Sequence, residues 1–420
     1  MTTPVLRVAF AFSPDDQIPV GRLALDGNAV VFEYDPAFAA SGLSLNPAFG
    51  AVRPGLHHPR DRQVFRGLHG VFADSLPDAW GDLLLERRLR RAGISVSSLT
   101  VLDRLALVGR RGRGALVYEP ADGVDPAAPA GAEVDLNRLA RDAGEVLEGH
   151  ESGVLRELER LGGSSGGARP KVQVALDDAG HARAHEAATL PPGFTDWIVK
   201  FRSTADRADI GPLEAAYAEA ARHAGIAMPR TRLISAQRGP GYFATERFDR
   251  KPAGGRVHML SIAGMLDADW AVPSIDYETL LGAVRSATRD EQAVLQMFRR
   301  MVFNVVAGNR DDHAKQHALL LDRDGAWRLS PAYDLTLASG PGNEHYLSVN
   351  GRGRDVRRRD LLAAGDAQSI GARHANAIID EVVAAIDQLP AIAKDFGVTS
   401  ATLRDLNDVI TRQLLLAARP

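Results

Sequence analysis

The chain has 420 residues, 45% hydrophobic and 25% charged, with a net charge of −3 at pH 7, the balance of an ordinary globular protein with room for two or three cores. It has no cysteine, which excludes disulfides, thiolate chemistry and cysteine metal sites. The near-neutral charge gives no overall nucleic-acid signature, no stretch nears the roughly 20 apolar residues of a membrane span, and residues 1–8 lack a signal peptide's apolar core, so a cytoplasmic protein without a membrane partner is expected.

In chain order, alternating apolar residues predict strands over 5–12, 21–25 and 30–34, with Asp26-Gly27 as a hairpin turn. Residues 43–70 are loop-rich, punctuated by Pro47, Pro54 and Pro59. Leu76-Pro77-Asp78 opens a helix over 79–92 that stops at Gly93; a helix over 99–108 and a strand over 114–118 follow. The Pro/Ala/Gly run 119–133 is the best domain boundary. Helices are predicted over 135–147 and 154–161, then a glycine-rich stretch from Gly162 to Lys171 and a strand over 172–176. The stretch lacks the Gly-Lys-Ser/Thr ending of a P-loop, so by composition it is either a flexible connection or a loop for phosphate.

In 196–201, period-two alternation puts Ile198 and Lys200 on one face and Trp197, Val199 and Phe201 on the other. Lys200 then either snorkels into water or meets an anion. Glu214, near the start of a helix over 213–224, is the candidate partner; a solvated first-turn glutamate favoured by the helix dipole is the competing account. Residues 241–249 read as a strand running into a connector. From Asp276 onward the chain is mainly helical, over 278–287, 291–306, 375–389 and 400–418, so a mixed sheet part precedes a helical part.

Most of the chemistry lies in 304–335. The helix over 291–306 runs into Gly308-Asn309, a stop signal, and Arg310, Asp311, Asp312, His313 and Lys315 crowd the loop that follows. An apolar run over 317–321, a turn at Asp324-Gly325 and Trp327-Arg328-Leu329 predict a hairpin, which returns Asp334 to the end where Asp311 stands. Two carboxylates and a lysine there suit a metal-bound phosphate. Protein kinases set a catalytic Asp five residues before a metal-holding Asn, and another Asp after a hairpin; here Gln316 follows Asp311 by five and the hairpin delivers Asp334. Asp312, four before Gln316, is the rival base. His313 and His317 invite a zinc reading, but the metalloprotease pattern needs Glu where Ala314 stands; His313 better suits ordering the loop. The basic run Arg352, Arg354, Arg357, Arg358 and Arg359 is either a solvated face or a contact for phosphates or an acidic partner.

The segments Asp311-Asp312-His313-Ala314-Lys315-Gln316 and Pro331-Ala332-Tyr333-Asp334 resemble the HipA family of toxin kinases, whose motifs are Asp-x-His-x-Lys-Asn and Pro-x-Tyr-Asp. The likeness extends to a Gly-Ala-x-x-Lys core at Gly167–Lys171, to Glu246-Arg247-Phe248-Asp249, the family's adenine hinge, and to Leu76-Pro77-Asp78-Ala79-Trp80, which by itself reads as a helix start that packs. Gln316 departs from the family's Asn; its extra methylene puts metal binding in question. The resemblance implies an α+β, two-lobed, protein-kinase-like fold, with an N-terminal β-rich subdomain over 1–118, a linker over 119–134, a kinase N-lobe over 135–250 and a helical C-lobe over 251–420. It implies a serine/threonine kinase using ATP and Mg²⁺. Asp311, His313 and Lys315 would be catalytic. ATP would be bound by Gly166, Gly167, Ala168, Arg169, Pro170, Lys171, Lys200, Glu246, Arg247, Phe248, Tyr333 and Asp334. Asp334 and Gln316 would hold the metal, Glu214 would pair with Lys200, and Ser164, or Ser165 beside it, would be self-phosphorylated. Implied partners are a small helix-turn-helix antitoxin, operator DNA reached through it, and a protein substrate such as an aminoacyl-tRNA synthetase. A weakly active corepressor, a small-molecule phosphotransferase and a non-enzymatic binding module remain open alternatives.

Overall fold

The computed structural model describes residues 4–50, 52–120, 132–150, 155–162, 167–184 and 190–418. It is a mixed α/β structure, rich in strands in its N-terminal part and in helices in its C-terminal part. The chain forms two compact units. One comprises Met1–Asp206, Ala244–Leu260 and Leu320–Ala326, the other Arg207–Phe243, Ser261–Leu319 and Trp327–Pro420.

A five-stranded sheet opens the first unit, in the order Leu56–His57, Ala29–Tyr34, Gln17–Asp26, Val5–Ala11, Leu116–Glu119. Leu6, Val8, Phe10, Leu23, Val30 and Phe32 are buried, as alternation requires. The hairpin turn lies one residue later than the sequence predicts. Asp26 pairs with Ala29, and Gly27 takes the positive φ (+59°) that the first turn position demands. The register shifts between Val8 and Ala9, where Pro19 sits opposite; a bulge is where a strand tolerates proline. The helix Val101–Val108 starts at a reciprocal Thr100–Asp103 capping box.

A second sheet runs Ala182–Ala184, Lys171–Leu176, Thr195–Lys200, Tyr242–Glu246, Thr231–Ile234. In Thr195–Lys200 and just beyond, Trp197, Val199 and Phe201 are buried while Ile198 and Lys200 are half-buried, the division expected from the alternation.

The second unit is built on the helices Ile210–His223, Tyr277–Thr288, Glu291–Val306, Ala372–Asp387 and Ser400–Ala418, with Tyr217, Tyr277, Phe298 and Phe303 buried among them. The Tyr217 hydroxyl donates to the Ala307 carbonyl at 2.6 Å and so satisfies an end carbonyl where Glu291–Val306 stops. Asp209 accepts from the Thr399 amide (2.7 Å) and the Thr402 hydroxyl (3.0 Å), fixing the start of the last helix. The helix at 210 begins three residues before the predicted start. Glu214 therefore lies in the second turn, and it is buried, which rules out the solvated first-turn account. Among the described residues, five α-helices have no counterpart in the sequence reading: Pro36–Ala40, Gly70–Ala73, Ile262–Leu266, Arg358–Ala367 and Leu389–Asp395. Most span one or two turns, too few for a 3.6-residue period to declare itself.

Candidate active site

Within the second unit, the helix Glu291–Val306 ends and Gly308 turns the chain with φ +69°. Asn309 and Ala338 form a parallel bridge, and the Arg310 amide donates to the Ala338 carbonyl at 3.1 Å. A single turn of 3₁₀ helix, Ala314–Gln316, closes the loop before the strand Ala318–Leu321. Between these fixed ends the two aspartates part company. Asp312 is 0% exposed and its carboxylate accepts three hydrogen bonds: from the Tyr277 hydroxyl (2.7 Å), the His345 Nδ1 (2.8 Å) and the Tyr346 amide (2.9 Å). The Asp311 side chain is 49% exposed. A group that must meet a substrate cannot be Asp312, so the rival base is a structural anchor and Asp311 is the reachable carboxylate.

The predicted hairpin forms between Ala318–Leu321 and Trp327–Leu329, and the Ser330 amide donates to the Ala318 carbonyl at 3.0 Å. The Tyr333 hydroxyl then donates to the Lys315 carbonyl at 2.8 Å. Asp334 thus follows directly on a strut to the Asp311 loop. It has a left-handed backbone (φ +57°), which Asp tolerates better than most residues. His313 stands between two half-exposed rings, Trp270 at 5.3 Å and Tyr346 at 5.5 Å, and its Nε2 is 3.9 Å from Asp311 Oδ1. Lys315 Nζ lies 5.0 Å from the Trp270 ring centre. Burial first, then the charge of Asp311, raises the Tyr346 phenol above its usual range. Trp270, Tyr277, Asn304, His345 and Tyr346 escape a sequence reading. Asp312 meets its partners 33 to 35 residues away along the chain, where no local pattern links them.

In the first unit, Lys171 and Lys200 are opposite partners on neighbouring antiparallel strands. Opposite residues project from the same sheet face, where two like charges repel each other and suit an anion. Gly167 has φ +92°, a backbone conformation that favours glycine, and Lys171 Nζ lies 2.6 Å from where a Cβ would stand. The Gly167 amide donates to Asp78 at 2.6 Å and the Trp80 indole to the Lys171 carbonyl at 3.1 Å. Arg169 is held by Asp206 at 2.9 Å. Ala168 and Pro170 lie within this stretch, whereas Ser164, Ser165 and Gly166 fall outside the described residues.

At the hinge-like segment the side chains of Arg247 and Asp249 turn inward. Arg247 grips Asp249 through two bonds (3.0 and 2.8 Å) and donates to Gln173; Asp249 also accepts from Arg250 and from the Gly114 amide, both at 2.8 Å. Burial alone would push the Asp249 carboxyl up, but Arg247 and Arg250 hold it well below the usual carboxylate range. Glu246 and Phe248, flanking Arg247, are half-buried. The basic run is matched within the chain: Arg352 with Asp360 (3.3 Å), Arg354 with Glu344 (2.7 Å) and Arg358 with Asp380 (2.8 Å).

Among the described residues, no group of three or more His, Cys, Asp or Glu side chains is placed to hold a metal ion. Mg²⁺ usually takes one or two carboxylates together with substrate phosphates rather than a protein cage. Asp334 and Gln316 offer oxygen donors, and Asn309 Oδ1 is a buried oxygen without a hydrogen-bond partner among the described residues. No helix among the described residues is long and apolar enough to cross a membrane.

A reachable aspartate on a loop fastened to a second aspartate after a hairpin, in a mixed α/β chain, is the pattern of a kinase-like protein. The sequence profile of the HipA-like C-terminal domain matches residues 163–389, and that of the HipA N-terminal domain matches 15–119. The chain belongs to the HipA family. Two proteins of Sinorhizobium fredii (strain NBRC 101917 / NGR234) that carry provisional kinase names are similar to it. Y4dM is 27% identical over 346 residues, 76% of this chain and 74% of that protein; Y4mE is 27% identical over 288 residues, 61% and 63%. The HipA of Shewanella oneidensis MR-1, solved with HipB and operator DNA, shares the fold: TM-score 0.69, 15% identity, 98% of this chain and 96% of that one.

Proposed function

We propose that this chain is an ATP- and Mg²⁺-dependent serine/threonine protein kinase and the toxin of a toxin–antitoxin pair. The contrast between exposed Asp311 and buried Asp312, with Asp334 carried to the same loop by the Tyr333–Lys315 strut, supports it most. Nucleotide phosphates would lie against Gly167–Lys171 and Lys200, with the backbone of 246–248 toward the adenine. Mg²⁺ would be held by Asp334 and Gln316, and when bound it neutralises charge on the phosphates. Asp311 accepts the proton of the acceptor hydroxyl as that oxygen bonds to the γ-phosphorus and the bond to ADP breaks. His313 and Lys315 keep the loop in shape through their contacts with Trp270 and Tyr346.

The Shewanella HipA was solved with HipB and operator DNA. By that likeness, a small helix-turn-helix antitoxin and operator DNA reached through it are this chain's partners. A translation component such as an aminoacyl-tRNA synthetase is the substrate, and Ser164, or Ser165, is a site of self-phosphorylation. Incubation with labelled ATP, Mg²⁺ and a cell lysate, followed by mass spectrometry, tests the reading. Label on serine or threonine of one protein, and on the loop serines of the chain itself, is expected. Wild-type protein that labels nothing defeats it. Gln316 in place of Asn favours one second reading, a weakly active relative that works chiefly as a corepressor; normal turnover would dismiss it.

A further inference from the structure

We propose that Tyr277, Asn304 and Asn309 form, with Asp312, a buried positioning chain that aims Asp311 at its substrate. This rests on the reading of Asp311 as the base. The links are continuous. Asn309 Nδ2 donates to Asn304 Oδ1 at 2.9 Å, Asn304 Nδ2 donates to the Tyr277 oxygen at 3.0 Å, and the Tyr277 hydroxyl donates to Asp312 Oδ2 at 2.7 Å. On the far side His345 and the Tyr346 amide close on the same carboxylate. A carboxylate can only accept, so His345 donates through Nδ1. The Tyr277 phenol, held well above its ordinary range by burial and then by the Asp312 charge, stays a donor.

Each member comes from a different place in the fold. Tyr277 is the first residue of the helix Tyr277–Thr288, Asn304 lies near the end of Glu291–Val306, Asn309 follows that helix, and His345 comes after the hairpin. Tyr277, Asn304, Asn309 and Asp312 are all at most 2% exposed. Apolar residues of similar size would fill such a space at less desolvation cost, so a continuous polar chain there serves geometry better than stability. The geometry it serves is that of the loop. Backbone bonds hold Asn309 and Arg310 to Ala338, and Gln316 to His313, while the Asp312 side chain is the anchor between. In non-helical, extended backbone successive side chains leave on opposite sides. Pulling Asp312 inward therefore turns Asp311 outward, and burial along the loop follows that rule: Asp311 and His313 partly exposed, Asp312 and Ala314 buried.

Tyr277→Phe removes one bond to Asp312 and leaves the ring, His345 and the Tyr346 amide in place. Three measurements on the full chain decide the matter. Turnover should fall by roughly tenfold while KM for ATP stays within about twofold, because a small misplacement of a reacting group costs rate rather than nucleotide binding. Amide hydrogen exchange should speed up in peptides covering 309–316 but not in the body of the helix Glu291–Val306. Combined with Asp311→Asn, the variant should add no further loss to the residual rate, since it acts only through that carboxylate. Unchanged turnover and exchange, or a loss that adds fully to that of Asp311→Asn, overturns the proposal. If wild-type protein transfers no phosphate, the kinase reading has failed instead, and the exchange result still judges the chain.

Discussion

Because Asp312 accepts three hydrogen bonds inside the core while Asp311 is half exposed, the same substitution at these neighbours should have opposite consequences. Asp311→Asn is expected to cut phosphoryl transfer by about 10²–10⁴-fold, to a small residual rate, with stability changed by less than about 0.5 kcal/mol and nucleotide binding kept. Asp312→Asn turns an amide donor toward groups that themselves donate, and should cost on the order of 1–3 kcal/mol in unfolding free energy. Paired urea melts and a labelled-phosphate assay separate the two; equal turnover in Asp311→Asn would remove it from the mechanism. Gln316→Asn should lower the Mg²⁺ concentration for half activity, since the shorter amide matches the kinase pattern; an unchanged magnesium dependence would point to another donor, such as Asn309 Oδ1. Spacing alone leaves both aspartates in play, four and five residues before Gln316. What distinguishes them is a tyrosine and a histidine more than thirty residues off, and no local pattern can carry that.

The element that admits least change is the stop at Gly308. Its φ is +69°, and a Cβ would lie 2.6 Å from Val409 Cγ1. Gly308→Ala therefore combines backbone strain with overpacking and should cost roughly 2–4 kcal/mol. Activity should fall further than the unfolded fraction explains, because the loop bearing Asp311 starts one residue on; a variant as stable as wild type would show that the last helix can yield. This stop was legible, as were the long helices and the hairpin, since each announces itself through periodicity and a glycine. The cross-strand meeting of Lys171 and Lys200 was not. Sequence shows two lysines 29 residues apart, and only the register makes them neighbours. If that pair receives phosphate, ATP should raise the melting temperature of wild-type protein and fail to raise that of Lys200→Met; an equal shift in both would free Lys200 from the nucleotide.

For the whole molecule, three buried histidines set the acid limit of stability. Burial is the leading cause in each case and lowers His69 to about 4, His258 to about 3 and His317 to about 4. These side chains stay neutral in the folded protein while the unfolded chain takes up protons below about pH 6.5. Stability is thus intact above that pH and drains as pH falls from about 6.5 toward 4. Below about 4 the depressed Asp249 carboxyl adds its own loss, since protonation then favours the unfolded chain. Melting temperatures between pH 8 and 5 test the first window. A flat profile, or one that His317→Gln leaves as steep, would contradict it. The interleaving of the two units is the part of the architecture least visible in the sequence, because composition marks boundaries along the chain and not returns to an earlier unit. The chain changes unit five times, and the first unit is finished only by Leu320–Ala326, the tip of the hairpin. During synthesis at about 5–20 residues per second, some 120 residues separate Asp206 from that tip, a wait of roughly 6–24 s on the ribosome. Both five-stranded sheets have all their strands by Glu246, yet through that interval the first unit still waits for its last segment, and the second unit waits for the residues beyond it. A chain built this way has neither unit complete until more than three-quarters of these 420 residues have been made.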